Sequence, residues 1–227
     1  MKKTAWIGLT ISGAVILAGL APKSAWAVRS RTCLNELHDP AHPIKKHIVV
    51  ISGTDRAGSN TLKISKHTAE QLKTLDVEVD VIDLRELPAE VRSPDVYDHV
   101  PESFNPYMKK LQDADGVIVV TPEYNGSFPG ILKTFIDVVS LKDRGVLTEM
   151  PIQFMGVAAG QFAGSRSIDQ LSTIFRYCEA NVYNKQALFP HVDALIKDRE
   201  GGGIDIIDEA TKKHFEGAIN GFVDHIP

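Results

Sequence analysis

Gly116-Val117-Ile118-Val119-Val120-Thr121, running straight on into Pro122-Glu123-Tyr124-Asn125-Gly126-Ser127-Phe128-Pro129-Gly130, is the stretch that decides how this chain folds. Its first part is short, nearly all apolar and rich in β-branched side chains, which marks a strand buried on both faces. Two prolines and two glycines then make a stiff, shaped loop rather than more strand. Pro129 and Gly130 open a helix that places Ile131, Leu132, Phe135, Ile136 and Val139 on one face. Buried strand, shaped loop and amphipathic helix are one unit of an alternating α/β fold.

The same rhythm extends in both directions. Upstream, Ile48-Val49-Val50-Ile51 is a second short apolar run, ending in Ser52-Gly53, and Thr61 to Leu75 is helix-permissive. Val77-Glu78-Val79-Asp80-Val81 alternates strictly, the pattern of a half-exposed strand at a sheet edge. Pro88, Pro94 and Pro101 mark an irregular connection, after which Phe104, Tyr107, Met108 and Leu111 fall at helical spacing. Downstream, Ile152 to Ala159 reads as a central strand, and Ile168, Leu171, Ile174, Phe175 and Cys178 as an amphipathic helix. Cys178 is thereby core filler rather than nucleophile. Val182 to Leu188 reads as a last strand, and beyond Gly201-Gly202-Gly203, Asp208 caps a final helix.

Alternating strands and helices require a parallel sheet with right-handed crossovers. The second strand is amphipathic and the first, third and fourth are not, which predicts a doubly wound, five-stranded sheet of order 2-1-3-4-5. In that order a ligand sits beyond the ends of strands one and three, where the winding reverses.

The 227 residues suffice for one well-filled domain, read here as residues 47–227. Composition is ordinary for a globular protein, 43% hydrophobic and 24% charged, and the net charge of -4 carries no basic footprint for nucleic acid. Two cysteines, Cys33 and Cys178, rule out a disulfide scaffold and a four-cysteine zinc site. Lys2 and Lys3, an apolar run from Thr4 to Ala21, and Ala25-Trp26-Ala27 are the three parts of a secretory signal peptide in order. Residues 1–27 are therefore read as a signal cleaved after Ala27, giving an exported protein. An uncleaved membrane anchor and a cytoplasmic protein starting near Lys45 are the alternatives. Residues 28–46 are polar, broken by Pro40 and Pro43, and read as a linker. His38, His42 and His47 cluster there, but the prolines prevent the helix that would align two of them as metal ligands.

Both loops at the expected site are legible. Gly53-Thr54-Asp55-Arg56-Ala57-Gly58-Ser59-Asn60 runs into a helix and brings hydroxyls, an arginine and backbone N–H groups to its N-terminus, the makings of a phosphate cradle. It is neither a Walker A loop nor a dinucleotide fingerprint. The loop from Thr121 to Gly130 offers the aromatic face of Tyr124 and a shaped backbone, suited to the polar edge of a flat ring.

These two segments resemble the NADPH-dependent FMN reductases, a flavodoxin-like family that includes quinone, chromate and azo-dye reductases. The family's Gly-Ser-x-Arg-x-Gly-Ser-x-Asn is matched by residues 53–60, one residue shorter and with threonine for the first serine. Its Thr-Pro-Glu-Tyr-Asn-x-Ser-x-Pro-Gly-x-Leu-Lys-Asn-x-Ile-Asp is matched from Thr121 to Asp137, with Thr134 replacing asparagine. The resemblance covers Lys46 to the C-terminus. It implies that Thr54, Arg56, Ser59 and Asn60 hold the FMN phosphate. It implies equally that Pro122, Glu123, Tyr124, Asn125, Gly126 and Ser127 border the isoalloxazine, largely through backbone groups. Ala158 to Gly164 looks like a reduced form of the family's glycine-rich loop, and Gly160 is carried over from it. Arg166 is read as a surface salt-bridge residue, with contact to a nicotinamide phosphate as the alternative.

The resemblance further implies an enzyme that takes hydride from NAD(P)H and passes it through FMN to a small acceptor such as a quinone, flavin, azo compound or metal oxyanion. It also implies a homodimer or homotetramer. FMN carries such chemistry, so no protein nucleophile is required. No Gly-x-Ser-x-Gly elbow or His-Glu-x-x-His supports a hydrolase. Two rivals remain at this point: a flavodoxin-type electron carrier without nicotinamide turnover, and a binding module that has lost its flavin.

Overall fold

The computed structural model describes residues 45–227. Residues 1–27 and nearly all of the linker, with His38, His42 and Cys33, lie outside them. Four parallel strands form the frame: β1 (His47–Ser52), β2 (Glu78–Asp83), β3 (Gly116–Pro122) and β4 (Pro151–Val157). The strand order is β2-β1-β3-β4, continued on the far side of β4, so the expected 2-1-3-4-5 winding is what the chain adopts. β2 lies at the edge, as its alternation predicts, and only Ile82 of it is buried. β1, β3 and β4 are buried at every position.

Alternate residues of these strands feed two cores. Val49, Ile51, Val117, Val119, Ile152 and Phe154 face one side. There they meet α2 (Asn105–Asp113), α3 (Gly130–Asp143) and α4 (Ser165–Tyr177). Ile48, Val50, Ile118, Val120, Met155 and Val157 face the other, against α1 (Asn60–Thr74) and α5 (Glu209–His225). The proline-rich connection before α2 is four short 3₁₀ turns between Leu84 and Phe104. Cys178 is buried at the end of α4, and burial pushes its thiol up from the ordinary value, as a core residue requires.

The structure corrects the last strand. Instead of one run from Val182 to Leu188, two short segments, β5 (Asn181–Val182) and β6 (Ala187–Phe189), each pair in parallel with β4. Between them, after a last bond from the Tyr183 N–H to the Ile152 carbonyl at 2.8 Å, the polar run Asn184 to Gln186 leaves the ladder. Gln153, fully buried on β4, fills the gap by donating from Nε2 to the carbonyls of Lys185 (3.1 Å) and Ala218 (2.9 Å). A side-chain amide thus pairs the Lys185 carbonyl where the ladder is interrupted and ties that segment to α5, while the amide's own Oε1 has no partner among the described residues.

A further element escaped the sequence reading. β7 (Ile196–Asp198) and β8 (Ile204–Ile206) form an antiparallel hairpin packed on α1. Lys63 reaches Asp198 at 2.7 Å, and Arg199 pairs with Glu70. His47 is a structural anchor of β1, its ring bonded to the Asp113 carbonyl and to Asp80, both at 3.1 Å.

Candidate functional site

β1 and β3 lie side by side, yet α1 leaves β1 toward one core and α3 leaves β3 toward the other. The two helices diverge, and the carboxyl ends of the strands between them are the place where a doubly wound sheet takes its ligand. The loop after β1 forms one wall. Gly53 starts it pressed against β3: its N–H donates to the Val120 carbonyl at 2.8 Å, and an added Cβ would lie 2.7 Å from that oxygen. Only glycine permits that approach. Ser59 caps α1, its buried hydroxyl accepting from the Leu62 N–H at 3.1 Å. Arg56 is exposed, and its backbone N–H donates to Thr54 Oγ1 at 3.3 Å. Asp55, also in this loop, is neutralised by Arg92 at 2.6 Å, an arginine from the irregular connection.

The loop after β3 is a tight hairpin turn. Tyr124 and Ser127 exchange backbone bonds of 2.8 and 3.1 Å, and between them Asn125 (φ 52°) and Gly126 (φ 80°) both occupy left-handed backbone. Two positive-φ residues in a two-residue loop are the mark of a type I′ turn, for which Asn-Gly is the preferred pair. The first turns of α4 hold this loop from behind. Ser167 donates to the Pro122 carbonyl at 2.9 Å, Arg166 forms an ion pair with the largely buried Glu123, and Gln170 bonds to both Gly126 and Ser127. Arg166 also lies over the Phe162 ring, 3.9 Å from its centroid.

The third loop, 158–164, folds back over β4. A Cβ on Gly156 would lie 2.0 Å from the Ala163 carbonyl oxygen, and Gly164, at φ 79°, packs against the Cα of Gly156. The sterically demanding glycines are therefore Gly156 and Gly164. Gly160 is exposed with open space around it, its carbonyl accepting from the His191 N–H at 3.3 Å.

The predicted residues are brought together in a closed circuit. Thr54 Oγ1 and Tyr124 Oη, 2.9 Å apart, join the first two loops. Glu123 ties the second loop to Arg166 at the start of α4, and Arg166 lies over Phe162 of the third loop. The third loop is zipped to the segment after β6 by His191 and Val192. Asn60 closes the circle by donating to Asp193 at 2.7 Å. Asp193, His191, Ser167, Gln170 and Arg92 were missed from sequence. Arg166, Ser167 and Gln170 share a helix face by spacing, but nothing local says what that face holds.

The donors of this crevice fit a phosphate beside a flat polar ring. Thr54, Arg56 and Ser59 all stand on the loop that runs into the N-terminus of α1, where first-turn N–H groups lack helical partners. Two buried oxygens beside it, Ser52 Oγ and Glu123 Oε2, have no partner among the described residues. No cluster of three or more metal-ligating side chains occurs among the described residues. A doubly wound sheet with a polar, glycine-bearing loop running into α1 and a stiff type I′ turn after β3 defines a flavodoxin-like, FMN-binding protein.

The comparisons narrow that class. The family described as NADPH-dependent FMN reductase matches residues 47–194. A quinone reductase of Escherichia coli (strain K12) is 27% identical over 183 residues, spanning 80% of this chain and 96% of that protein. An FMN-dependent NADPH-azoreductase of Staphylococcus haemolyticus is 28% identical over 133 residues, 56% of this chain and 68% of that protein. Among solved structures, the FerB flavoenzyme NAD(P)H:acceptor oxidoreductase from Paracoccus denitrificans superposes with a TM-score of 0.64 at 22% identity, covering 81% of this chain and 97% of that one. The chain belongs to the NADPH-dependent FMN reductase family and is an NAD(P)H-dependent FMN oxidoreductase that transfers hydride to a small acceptor.

Proposed function

We propose that the flavin phosphate lies against Thr54, Arg56, Ser59 and Asn60. Its ring lies between the Pro122–Ser127 turn and the loop containing Gly160. The acceptor is a small flat molecule, a quinone first and an azo compound second. The observation that carries this reading is the circuit of hydrogen bonds that fixes all three loops around the switch point. The names of the quinone reductase and azoreductase relatives support the acceptor class. When bound, FMN supplies the hydride chemistry. The protein's part is placement. Ser59, Arg56 and the α1 N-terminus bind the anion, and the type I′ turn presents backbone donors at fixed positions. Tyr124, 37% exposed, offers an aromatic face, and its hydroxyl keeps that wall in register with Thr54.

The test is an absorption spectrum of the purified protein before and after NADPH under nitrogen, followed by addition of a benzoquinone. Flavin bands that bleach with NADPH and return with the quinone are expected. Bands that persist with NADPH would replace the reductase with an electron carrier, and no bands after incubation with FMN would remove the flavin.

We propose further that residues 1–27 direct export with cleavage after Ala27, and that the enzyme works as a homodimer or homotetramer. The three-part pattern of the leader and the family resemblance support these two statements. Intact mass from a fractionated host and light scattering of the purified protein test them in turn. No helix among the described residues is long and apolar enough to cross a membrane.

A further inference from the structure

The turn bordering the proposed ring site has more hydrogen-bonding groups than its own closure uses. Tyr124 and Ser127 consume one another's N–H and carbonyl groups. That leaves the N–H, the carbonyl and the side-chain amide of Asn125, the N–H and carbonyl of Gly126, and the Ser127 hydroxyl. Gln170, two turns into neither loop but on the helix behind them, takes two of these. Its Nε2 donates to the Gly126 carbonyl at 3.0 Å, and its Oε1 accepts from the Ser127 hydroxyl at 2.7 Å. Among the described residues no hydrogen bond engages the N–H of Asn125 or of Gly126. The Gly126 carbonyl and the Ser127 hydroxyl are thereby held from behind, and the two tip N–H groups have no protein acceptor among the described residues.

We infer that Gln170 is a positioning residue for flavin: by holding the Gly126 carbonyl and the Ser127 hydroxyl from behind, it fixes the turn so that the Asn125 and Gly126 N–H groups serve as donors to the carbonyl-bearing side of the ring. The inference rests on the flavin reading above. Ser127 then serves through its backbone and through its bond to Gln170, with its hydroxyl turned to the helix. Gln170 acts from outside the crevice and touches neither flavin nor acceptor. A side-chain amide suits the task because it donates and accepts in one plane. A carboxylate only accepts, and placed here it would face the Gly126 carbonyl oxygen.

The experiment uses full-length protein stripped of flavin, titrated with FMN and with riboflavin by quenching of flavin fluorescence. Riboflavin has the ring without the phosphate, so it reports on the turn alone. Wild type is expected to bind both. Gln170→Ala is expected to weaken both by the same factor, about tenfold, the scale of losing one or two hydrogen bonds. Gln170→Glu is expected to be as weak near pH 7.5 and to recover relative to wild type as pH falls through the carboxyl range. A protonated carboxyl regains one donor and one acceptor in the shape of the amide. That recovery separates positioning from a packing role, even if Gln170→Ala lowers the thermal midpoint. Wild-type affinities retained within twofold in Gln170→Ala would overturn the inference while leaving the flavin site standing. So would a loss for FMN alone, or a loss in Gln170→Glu that acid does not relieve. Failure of the wild type to bind either flavin would overturn the site itself, and the inference with it.

Discussion

The phosphate loop and the ring loop face each other across one crevice, but they are built on opposite plans. The ring loop spends its polar groups on itself and on α4: two backbone bonds close the turn, and Ser167, Arg166 and Gln170 hold it from behind. The phosphate loop spends few. It is fixed at its ends, by Gly53 against β3 and by the Ser59 cap, while Arg56, Ala57 and Gly58 between them are exposed. A ring needs a surface of settled shape. An anion needs donors that nothing else has claimed. The difference is that of a template and a reservoir.

The largest effect should come where the open loop is anchored. Gly53→Ala drives a Cβ to 2.7 Å from the Val120 oxygen, backbone of a central strand that does not yield, and 3.0 Å from Leu132 Cδ2 on α3. A loss of about 3 kcal/mol is expected in chemical denaturation. Gly58→Ala in the middle of the same loop meets nothing within 4 Å and bears only the strain of φ 62°, about 1 kcal/mol. Equal losses at the two positions would contradict the contrast between fixed ends and a free middle.

Next comes the point where the two loops touch. Thr54 is buried, so Tyr124→Phe leaves its hydroxyl without the partner at 2.9 Å. A double-mutant cycle of Thr54→Val with Tyr124→Phe is expected to give a coupling of about 1 kcal/mol in stability. A coupling near zero would mean that the walls are independent. Ser59→Ala should be of similar or smaller size, about 1 kcal/mol from the lost cap. Its sharper signature is selectivity: FMN binding falls several-fold and riboflavin binding holds. Equal weakening of both flavins would show that the cap shapes the ring wall too.

The two plans also explain what was legible. The ring loop announces itself because a template must carry its instructions locally: Pro122, Asn125, Gly126 and Pro129 each dictate a backbone shape. The phosphate loop is legible by composition alone, since Thr54, Arg56 and Ser59 are suitable donors wherever they are placed. The 2-1-3-4-5 order was readable because burial on both faces leaves a continuous apolar run and an edge does not. What failed was non-local. Nothing around Val182 to Leu188 tells that Gln153, some thirty residues earlier, will substitute for the ladder. The partners of Gln170 and Asp193 lie 44 and 133 residues away. The β7–β8 hairpin has three residues per strand, too few for alternation to show.

The smallest effect concerns the far face of the helix that carries the phosphate loop. His67 on α1 is buried beneath the hairpin and stacked on Phe215 of α5, with ring centroids 5.4 Å apart. Burial holds its pKa below the ordinary 6.5, outweighing the attraction of Glu70; Arg199 opposes the charge and Asp205 favours it. Glu70 stands 3.8 Å from Nδ1, too far for a hydrogen bond. Folded His67 is therefore neutral where the unfolded chain already binds a proton. The unfolded state gains protons first as pH falls through 6.5, so stability is full above that value and declines below it until the folded pKa is passed. One group contributes a slope of at most about 1.4 kcal/mol per pH unit. Denaturation at pH 7.5, 6.5 and 5.5 should show that decline in wild type and a flatter one in His67→Gln. Parallel curves would remove His67 as the cause. Because the hairpin above His67 adjoins Asp193, and Asp193 bonds Asn60, the decline belongs to the phosphate side. Riboflavin affinity, which reads the ring loop, should stay level across the same range.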